Sequence, residues 1–365
     1  MNVWHIGQAA TLDRVDGVNA AVWLLAETQA NHGVRPVLVN HRALSEGTRM
    51  RAEAHGVGVL HLRGFWPRAV RAALARERPQ LVHFHSVFVP HHAALAWLLR
   101  SEGIPYIVTP HGGVAPAVLA RGHRKKWLYS TLIERRRFEY AAAVTAVSQG
   151  EVDEILAFAP RVRQPVRVVP NPVAESLFTE PRRTSGRAVS RPRLTYLGRF
   201  DVHLKGIDRL YRLANLLPEV DVRLVGSPHG PSLRDLRELD RTRPPNLEVV
   251  APVYGAAKVA ELDAATMYVQ MSRADAFGLA AAEAMARGTP VALTASVHLV
   301  SAVRCADAGI VLSDDPNRAA LEIREALADA EGLVRQGRNG HEHSRAHFHA
   351  SAVAHRYRLA YEAVS

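Results

Sequence analysis

Asp275-Ala-Phe-Gly-Leu-Ala-Ala-Ala-Glu283-Ala-Met-Ala-Arg-Gly288-Thr-Pro290-Val is the stretch whose reading decides the fold. Residues 267–271 ahead of it alternate apolar and polar like a short strand, and 272–274 form a polar break. Residues 279–287 are good helix formers almost throughout, and Gly288 with Pro290 is a C-terminal stop signal. A second strand, 291–294, resumes at once. In a parallel α/β sheet this strand, loop, helix and strand place the loop 275–279 in the crevice outside the strand ends, where ligands bind.

A helix starting near Leu279 aims unpaired N–H groups and its positive end at that crevice, which suits a phosphate. Asp275 in the loop and Glu283 one turn into the helix can face one ligand, and carboxylates there accept hydrogen bonds from hydroxyls, as on a sugar and a ribose. The competing reading makes Asp275 a helix cap and Glu283 a solvated helix residue. The segment resembles the acidic-x7-acidic signature of retaining glycosyltransferases of family 4, with its Phe277-Gly278-Leu279 centre and its Glu-Ala-Met-Ala-x-Gly-x-Pro-Val ending. The resemblance implies a GT-B fold: two Rossmann-like α/β domains facing a central cleft, with a C-terminal helix returning to the first. It also implies that the motif grips an activated nucleotide sugar. Asp275 stands where Glu is usual, so its reach to the donor sugar is shorter, while Glu283 keeps the ribose contact.

A chain of 365 residues accommodates two domains of roughly 150 to 190 residues each. A hydrophobic fraction of 48% with 22% charged residues is that of a soluble globular protein, and no apolar run approaches a membrane span. Residues 1–7 enter a strand pattern without a secretory signal, and the single cysteine, Cys305, forbids an internal disulfide. Together these lead us to expect a cytoplasmic protein, with peripheral attachment at the inner face of the membrane as a variant. The formal charge of +11 favours an anionic partner. Phosphorylated small molecules, anionic lipid and nucleic acid share that sign, and an Arg-rich composition produces it with no partner. No helix-turn-helix, zinc-finger or RNA-binding signature is present, so nucleic acid is not expected.

Strands at 3–6, 34–39, 57–62, 81–85, 104–109, 142–147 and 166–169, with helices between them, make the first domain a series of βα units. Gly17 precedes the first helix, where family 4 usually has two glycines that bring backbone N–H groups to the donor phosphates or to the acceptor; a lone Gly there also serves as ordinary turn chemistry. His83, His85, His91 and His92 lack the spacing and the acidic or thiol companions of a metal site, so no metal or cofactor is expected; His85, at a strand end, could line the cleft. His111-Gly112-Gly113 follows a strand end, and the glycines allow close approach. The family resemblance puts His111 against the donor sugar. Residues 121–140 are basic with interleaved aromatics, and Arg121, Arg124, Lys125, Lys126 and Trp127 there suit an anionic membrane surface or simply a solvated helix. Ser148 to Glu151 reads as a capping box. Residues 170–173, Pro-Asn-Pro-Val, resemble the family's hinge.

In the second domain a strand delivers Gly198 and Arg199 to the crevice, and Lys205 returns at the start of a helix. Two cations there neutralise a departing diphosphate without metal. The Gly-Arg-x(n)-Lys-Gly pattern matches the family, and the loop holding Val253 and Tyr254 is where family members meet the nucleobase. The expected division is 1–172 for the acceptor domain, 173–192 for a linker, 193–343 for the nucleotide-sugar domain and 344–365 for the returning helix. The expected protein is a retaining, metal-independent glycosyltransferase moving a sugar from a nucleotide diphosphate sugar to an acceptor hydroxyl on a lipid-linked, cell-envelope or exopolysaccharide glycan. His111, Arg199, Lys205 and Asp275 are its catalytic candidates. The alternatives are a non-catalytic GT-B-like scaffold that binds an anionic ligand and a GT-B nucleotide-sugar epimerase.

Overall fold

The computed structural model describes residues 1–7, 17–41, 44–62, 67–120, 129, 133–179, 191–228 and 230–364. They form two compact units, Met1–Pro172 with His349–Ser365, and Val173–Phe348.

The first unit contains seven parallel strands: β1 (Asn2–Ile6), β2 (Arg35–Asn40), β3 (Gly58–His61), β4 (Leu81–His85), β5 (Tyr106–Thr109), β6 (Ala143–Ala146) and β7 (Val166–Val168), in the order β3-β2-β1-β4-β5-β6-β7. The order reverses between β1 and β4, which pair with His5 opposite His83. Such a switch point is where open α/β sheets bind ligands. One face packs Trp4, Val82, Phe84 and Val108 against Leu95 and Leu99 of the helix Pro90–Ser101. The other packs Val3, Leu81 and Ile107 against Val353, Tyr357 and Tyr361 of the last helix, Ala350–Glu362. Burial on both faces is the condition of a parallel sheet.

The second unit contains β8 (Arg193–Leu197), β9 (Asp221–Val225), β10 (Leu247–Val250), β11 (Met267–Gln270), β12 (Val291–Thr294) and β13 (Gly309–Leu312), in the order β10-β9-β8-β11-β12-β13. The switch lies between β8 and β11, the strands whose ends supply Arg199 and Asp275.

The domain limits differ from the sequence expectation at two places. The returning segment starts at His349 rather than at residue 344. The helix Ala330–His347 stays with the second unit because His341 Nδ1 lies 2.7 Å from the Ala286 carbonyl and Gly337 packs directly on the Gly288 carbonyl. The expected linker also begins too early. Val173 N donates to Phe348 O at 2.7 Å, and Arg287 Nη1 reaches Thr179 Oγ1 at 2.6 Å, so residues 173–179 belong to the second unit; 180–190 lie outside the described residues.

Candidate active site

In the second unit β11 runs into the loop holding Asp275, whose backbone is tied to the segment after β12: Asp275 N donates to Ser296 O, and His298 N to Asp275 O. Asp275 Oδ1 accepts from Gly278 N at 3.0 Å and Phe277 N at 3.3 Å, so it does cap the turn into the helix Leu279–Ala286. Oδ2 accepts from Lys205 Nζ at 2.5 Å and Gln270 Nε2 at 2.7 Å. Burial alone would raise this carboxyl, but the Lys205 charge and hydrogen bonds outweigh it and hold Asp275 below the usual aspartate range. The cap that the sequence offered as the competing reading is present, together with a charge pair to Lys205 that the sequence did not suggest. The helix start itself requires Gly278, which sits at φ 86 as N-cap with a Cβ position 2.9 Å from Val297 Cγ1.

Lys205 is placed by Gly206 at φ 65, where a Cβ would lie 2.0 Å from the Met271 carbonyl; only glycine lets this loop rest on the end of β11. Arg199 is exposed, and its side chain has no ion-pair partner among the described residues. Gly198 precedes it at φ 154. The two cations assigned to a diphosphate therefore differ: Arg199 is available, and Lys205 is neutralised by Asp275.

Glu283 is not a freely solvated helix residue. Its side chain is 13% exposed and Oε1 accepts from Lys258 Nζ at 2.6 Å. Lys258 lies in the helix Gly255–Ala264, just after Val253 and Tyr254, and the sequence reading missed it because the pair is separated by 25 residues with no shared spacing. Tyr254, the residue before that helix, is 58% exposed, an aromatic face open to a ligand. A separate cavity of about 250 Å³ is lined by Phe200, Leu224, Val249 and Pro228 and touches none of Lys205, Asp275 or Glu283.

In the first unit, Gly17 opens the helix Gly17–Ala30, and a Cβ there would meet nothing within 4 Å, so sterics do not demand glycine. His111 follows β5 at φ 50, a left-handed conformation unusual for histidine; Ser86 and Phe88, after β4, share it at φ 105 and φ 59. Strained backbone clustered at strand ends marks functional ground. Glu151 explains part of it. Ser148 Oγ accepts from Glu151 N at 3.1 Å, as a capping box requires. The Glu151 carboxylate accepts from Val147 N at 2.7 Å and from Gly112 N, anchoring the turn after His111. Burial pushes this carboxyl up to about 7 against those hydrogen bonds.

Three further sequence expectations are corrected or left outside. The cations of residues 121–140 were to face solvent, yet Arg137 is buried, paired with Glu134 and donating to Ser86 O at 2.8 Å. Arg121, Arg124, Lys125, Lys126 and Trp127 lie outside the described residues. His83 and His85 do have a close companion, His5 on β1, and ligand atoms of the three lie within 4.8 Å of one another. Sequence spacing hid this because His5 is 80 residues from His85. Their nitrogens are engaged with Gln29, Tyr361, Thr109, His111 and one another.

Two switch-point sheets with this order of motifs have known counterparts. Residues 15–177 match the family described as Glycosyltransferase Family 4, and residues 178–343 match Glycosyl transferases group 1. The chain belongs to glycosyltransferase family 4. Among relatives in this group, the D-inositol 3-phosphate glycosyltransferase of Geodermatophilus obscurus is 31% identical over 73% of this chain and 64% of the relative. The corresponding enzyme 1 of Catenulispora acidiphila is 29% identical over 87% and 84%. The chain thus spans less than two thirds of the first of these. Sucrose-phosphate synthase from Thermosynechococcus elongatus superposes with a TM-score of 0.78 at 21% identity over 99% of this chain and 98% of that one. Anabaena HepE, solved with UDP and glucose, has a TM-score of 0.78 at 15% identity over 99% of both chains. The fold is GT-B in its two Rossmann-like units. Among the described residues no helix is long and apolar enough to cross a membrane.

Proposed function

We propose that this protein is a retaining glycosyltransferase that works without a metal, moving a sugar from a nucleotide diphosphate sugar to the hydroxyl of a lipid-linked or cell-envelope acceptor. The observation that carries the reading is the meeting of Lys205 and Asp275, 70 residues apart in sequence, at the N-terminus of the helix Leu279–Ala286. A diphosphate arriving there finds Arg199, Lys205 and a helix start, three sources of positive potential. It competes with Asp275 for Lys205, and Asp275 then turns to the sugar hydroxyls. Glu283, oriented by Lys258, accepts from the ribose, and the exposed Tyr254 lies by the base.

In the reaction the bond from the sugar's anomeric carbon to the phosphate oxygen breaks while the acceptor oxygen attacks from the same face. The acceptor proton passes to the departing phosphate oxygen, and the growing diphosphate charge is stabilised by Arg199 and Lys205. The family resemblance assigns His111 a contact with the sugar. HepE holds UDP and glucose, so uridine donors head the panel to be tested, and the relatives' names add inositol 3-phosphate to lipid-linked acceptors. The net charge of +11 suits an anionic acceptor of either kind.

The test is acceptor-dependent release of nucleoside diphosphate across donors and acceptors, with and without chelator, and NMR of the product's anomeric centre. Release that persists in chelator with the donor's configuration kept is expected. Inversion at that carbon, or loss of turnover on chelation, overturns the reading.

A further inference from the structure

Three histidines, on or just after three neighbouring strands at the switch point of the first sheet, form an unbroken hydrogen-bonded chain, and a fourth, His83, packs beside them. Gln29 Oε1 lies 2.8 Å from His5 Nε2, His5 Nδ1 lies 3.0 Å from His85 Nε2, and His85 Nδ1 lies 3.0 Å from His111 Nε2. His5 and His85 are fully enclosed, and His111 Nδ1, at the end, is itself buried, with the Asn171 side chain nearby but no well-formed hydrogen bond of its own. A neutral imidazole carries one donor and one acceptor, so the direction of one bond sets all the others.

That direction is set at Gln29. Its carbonyl end faces His5, and its amide end donates to Tyr361 OH at 3.2 Å. His5 Nε2 must then carry the proton, which makes His5 Nδ1 the acceptor of His85 Nε2–H. His85 Nδ1 in turn accepts from His111 Nε2–H. Tyr361 OH, having accepted from Gln29, donates to His83 Nδ1 at 2.8 Å, and His83 Nε2–H donates to Thr109 Oγ1 at 2.7 Å. This one arrangement satisfies every ring nitrogen of the cluster except His111 Nδ1.

We propose that Gln29, His5 and His85 form a one-way hydrogen-bond chain that fixes the tautomer of His111, leaving its Nδ1 as a lone-pair acceptor for a hydroxyl of the sugar or of the attacking alcohol. His5, His85 and Gln29 are positioning residues, and Tyr361 on the returning helix braces the same arrangement from below. Burial supports the neutral state throughout: it lowers His5 and His111 to about 4, with Gln29 and the Asn171 side chain respectively pulling weakly the other way, and lowers His83 and His85 well below the ordinary value. A bound metal at His5, His83 and His85 is the competing use of these nitrogens. It is disfavoured because both His83 nitrogens hold hydroxyl partners and His5 and His85 are already joined to each other.

The ligand half of this inference rests on the proposed transferase reading; the tautomer half does not. The wild-type protein, labelled with 15N in histidine, is examined by long-range 1H–15N NMR, with metal content measured on the same sample. A His111 Nδ1 without proton and no stoichiometric metal are expected; a protonated Nδ1, or one zinc per chain that shifts the His5, His83 and His85 signals, overturns the proposal. In kinetics, His5→Phe removes the acceptor for His85 and should lower kcat about tenfold with donor KM nearly unchanged. His5→Asn keeps an acceptor close to the Nδ1 position and should recover most of that loss. Equal kcat in wild type and His5→Phe, or no difference between the two variants, sinks the positioning role. If no donor is turned over at all, the transferase reading fails, and the NMR result still decides the tautomer.

Discussion

Lys205 Nζ and Asp275 Oδ2 stand 2.5 Å apart, so two charges that the sequence assigned to different parts of a ligand neutralise each other before any ligand arrives. Asp275 also caps the turn into the motif helix through Oδ1. A nucleotide sugar must exchange one partner of this pair for its own phosphate.

Asp275→Asn keeps the capping oxygen and removes the charge. It should destabilise the protein by about 1–2 kcal/mol, since both partners keep some solvent contact, and it should slow turnover more than it weakens diphosphate binding. Denaturant unfolding and steady-state kinetics measure the two effects. Wild-type turnover in a folded Asp275→Asn would remove this carboxylate from the reaction.

Glu283 and Lys258 form the second pair, at 2.6 Å. If Lys258 only orients Glu283 towards a ribose, Lys258→Met should raise donor KM several-fold and Glu283→Ala should raise it further, with the double variant no worse than Glu283→Ala. Additive losses in that cycle would mean that Lys258 touches the ligand independently.

Gly206→Ala sets a Cβ 2.0 Å from the Met271 carbonyl at a backbone φ of 65. A loss of about 1–3 kcal/mol is expected, together with most of the activity, because the clash displaces Lys205. A calorimetric melt matching wild type would show that the loop does not rest where the structure has it.

The sign of the pH dependence follows from the buried histidines. His5 falls to about 4 in the folded state from an ordinary 6.5, so the unfolded chain binds its proton first as pH falls. Its contribution is whole above pH 6.5 and is lost towards pH 4, about 3 kcal/mol for this residue alone. His111 acts in the same window, and His83 and His85 in the same direction. Glu151 and Glu154, raised to about 7, oppose them, since their burial costs stability as pH rises through 4.5 to 7. Buried His92 is lowered in the same direction, and these five histidines outweigh two carboxyls, so denaturant midpoints should fall between pH 6.5 and 4. A midpoint that rises on acidification would place the balance with the carboxyls.

Much of the fold was legible because its strands are short apolar runs punctuated by Gly and Pro. β4 and β12 fall on the limits read from sequence, and the motif loop joins β11 to its helix as expected. Side-chain partnerships were not legible. Lys258 with Glu283 and His5 with His85 depend on which strands are neighbours, and no local period records that. Arg137 looked like one more surface cation; only the folded chain shows that its charge is enclosed with Glu134 and spent on the backbone at Ser86. The tail was read as one helix from residue 344, whereas a break between His347 and Ala350 divides it between the two units.

The most direct test of the central claim is a thermal-shift titration of wild type and Glu283→Ala with UDP, GDP, ADP and their sugar conjugates in the presence of chelator. A ligand that binds only the folded state raises its melting temperature by mass action. One base should stabilise the wild type in chelator and stabilise Glu283→Ala much less. No shift with any of these nucleotides, or an equal shift in both proteins, would contradict a donor site built on Arg199, Lys205, Asp275 and Glu283.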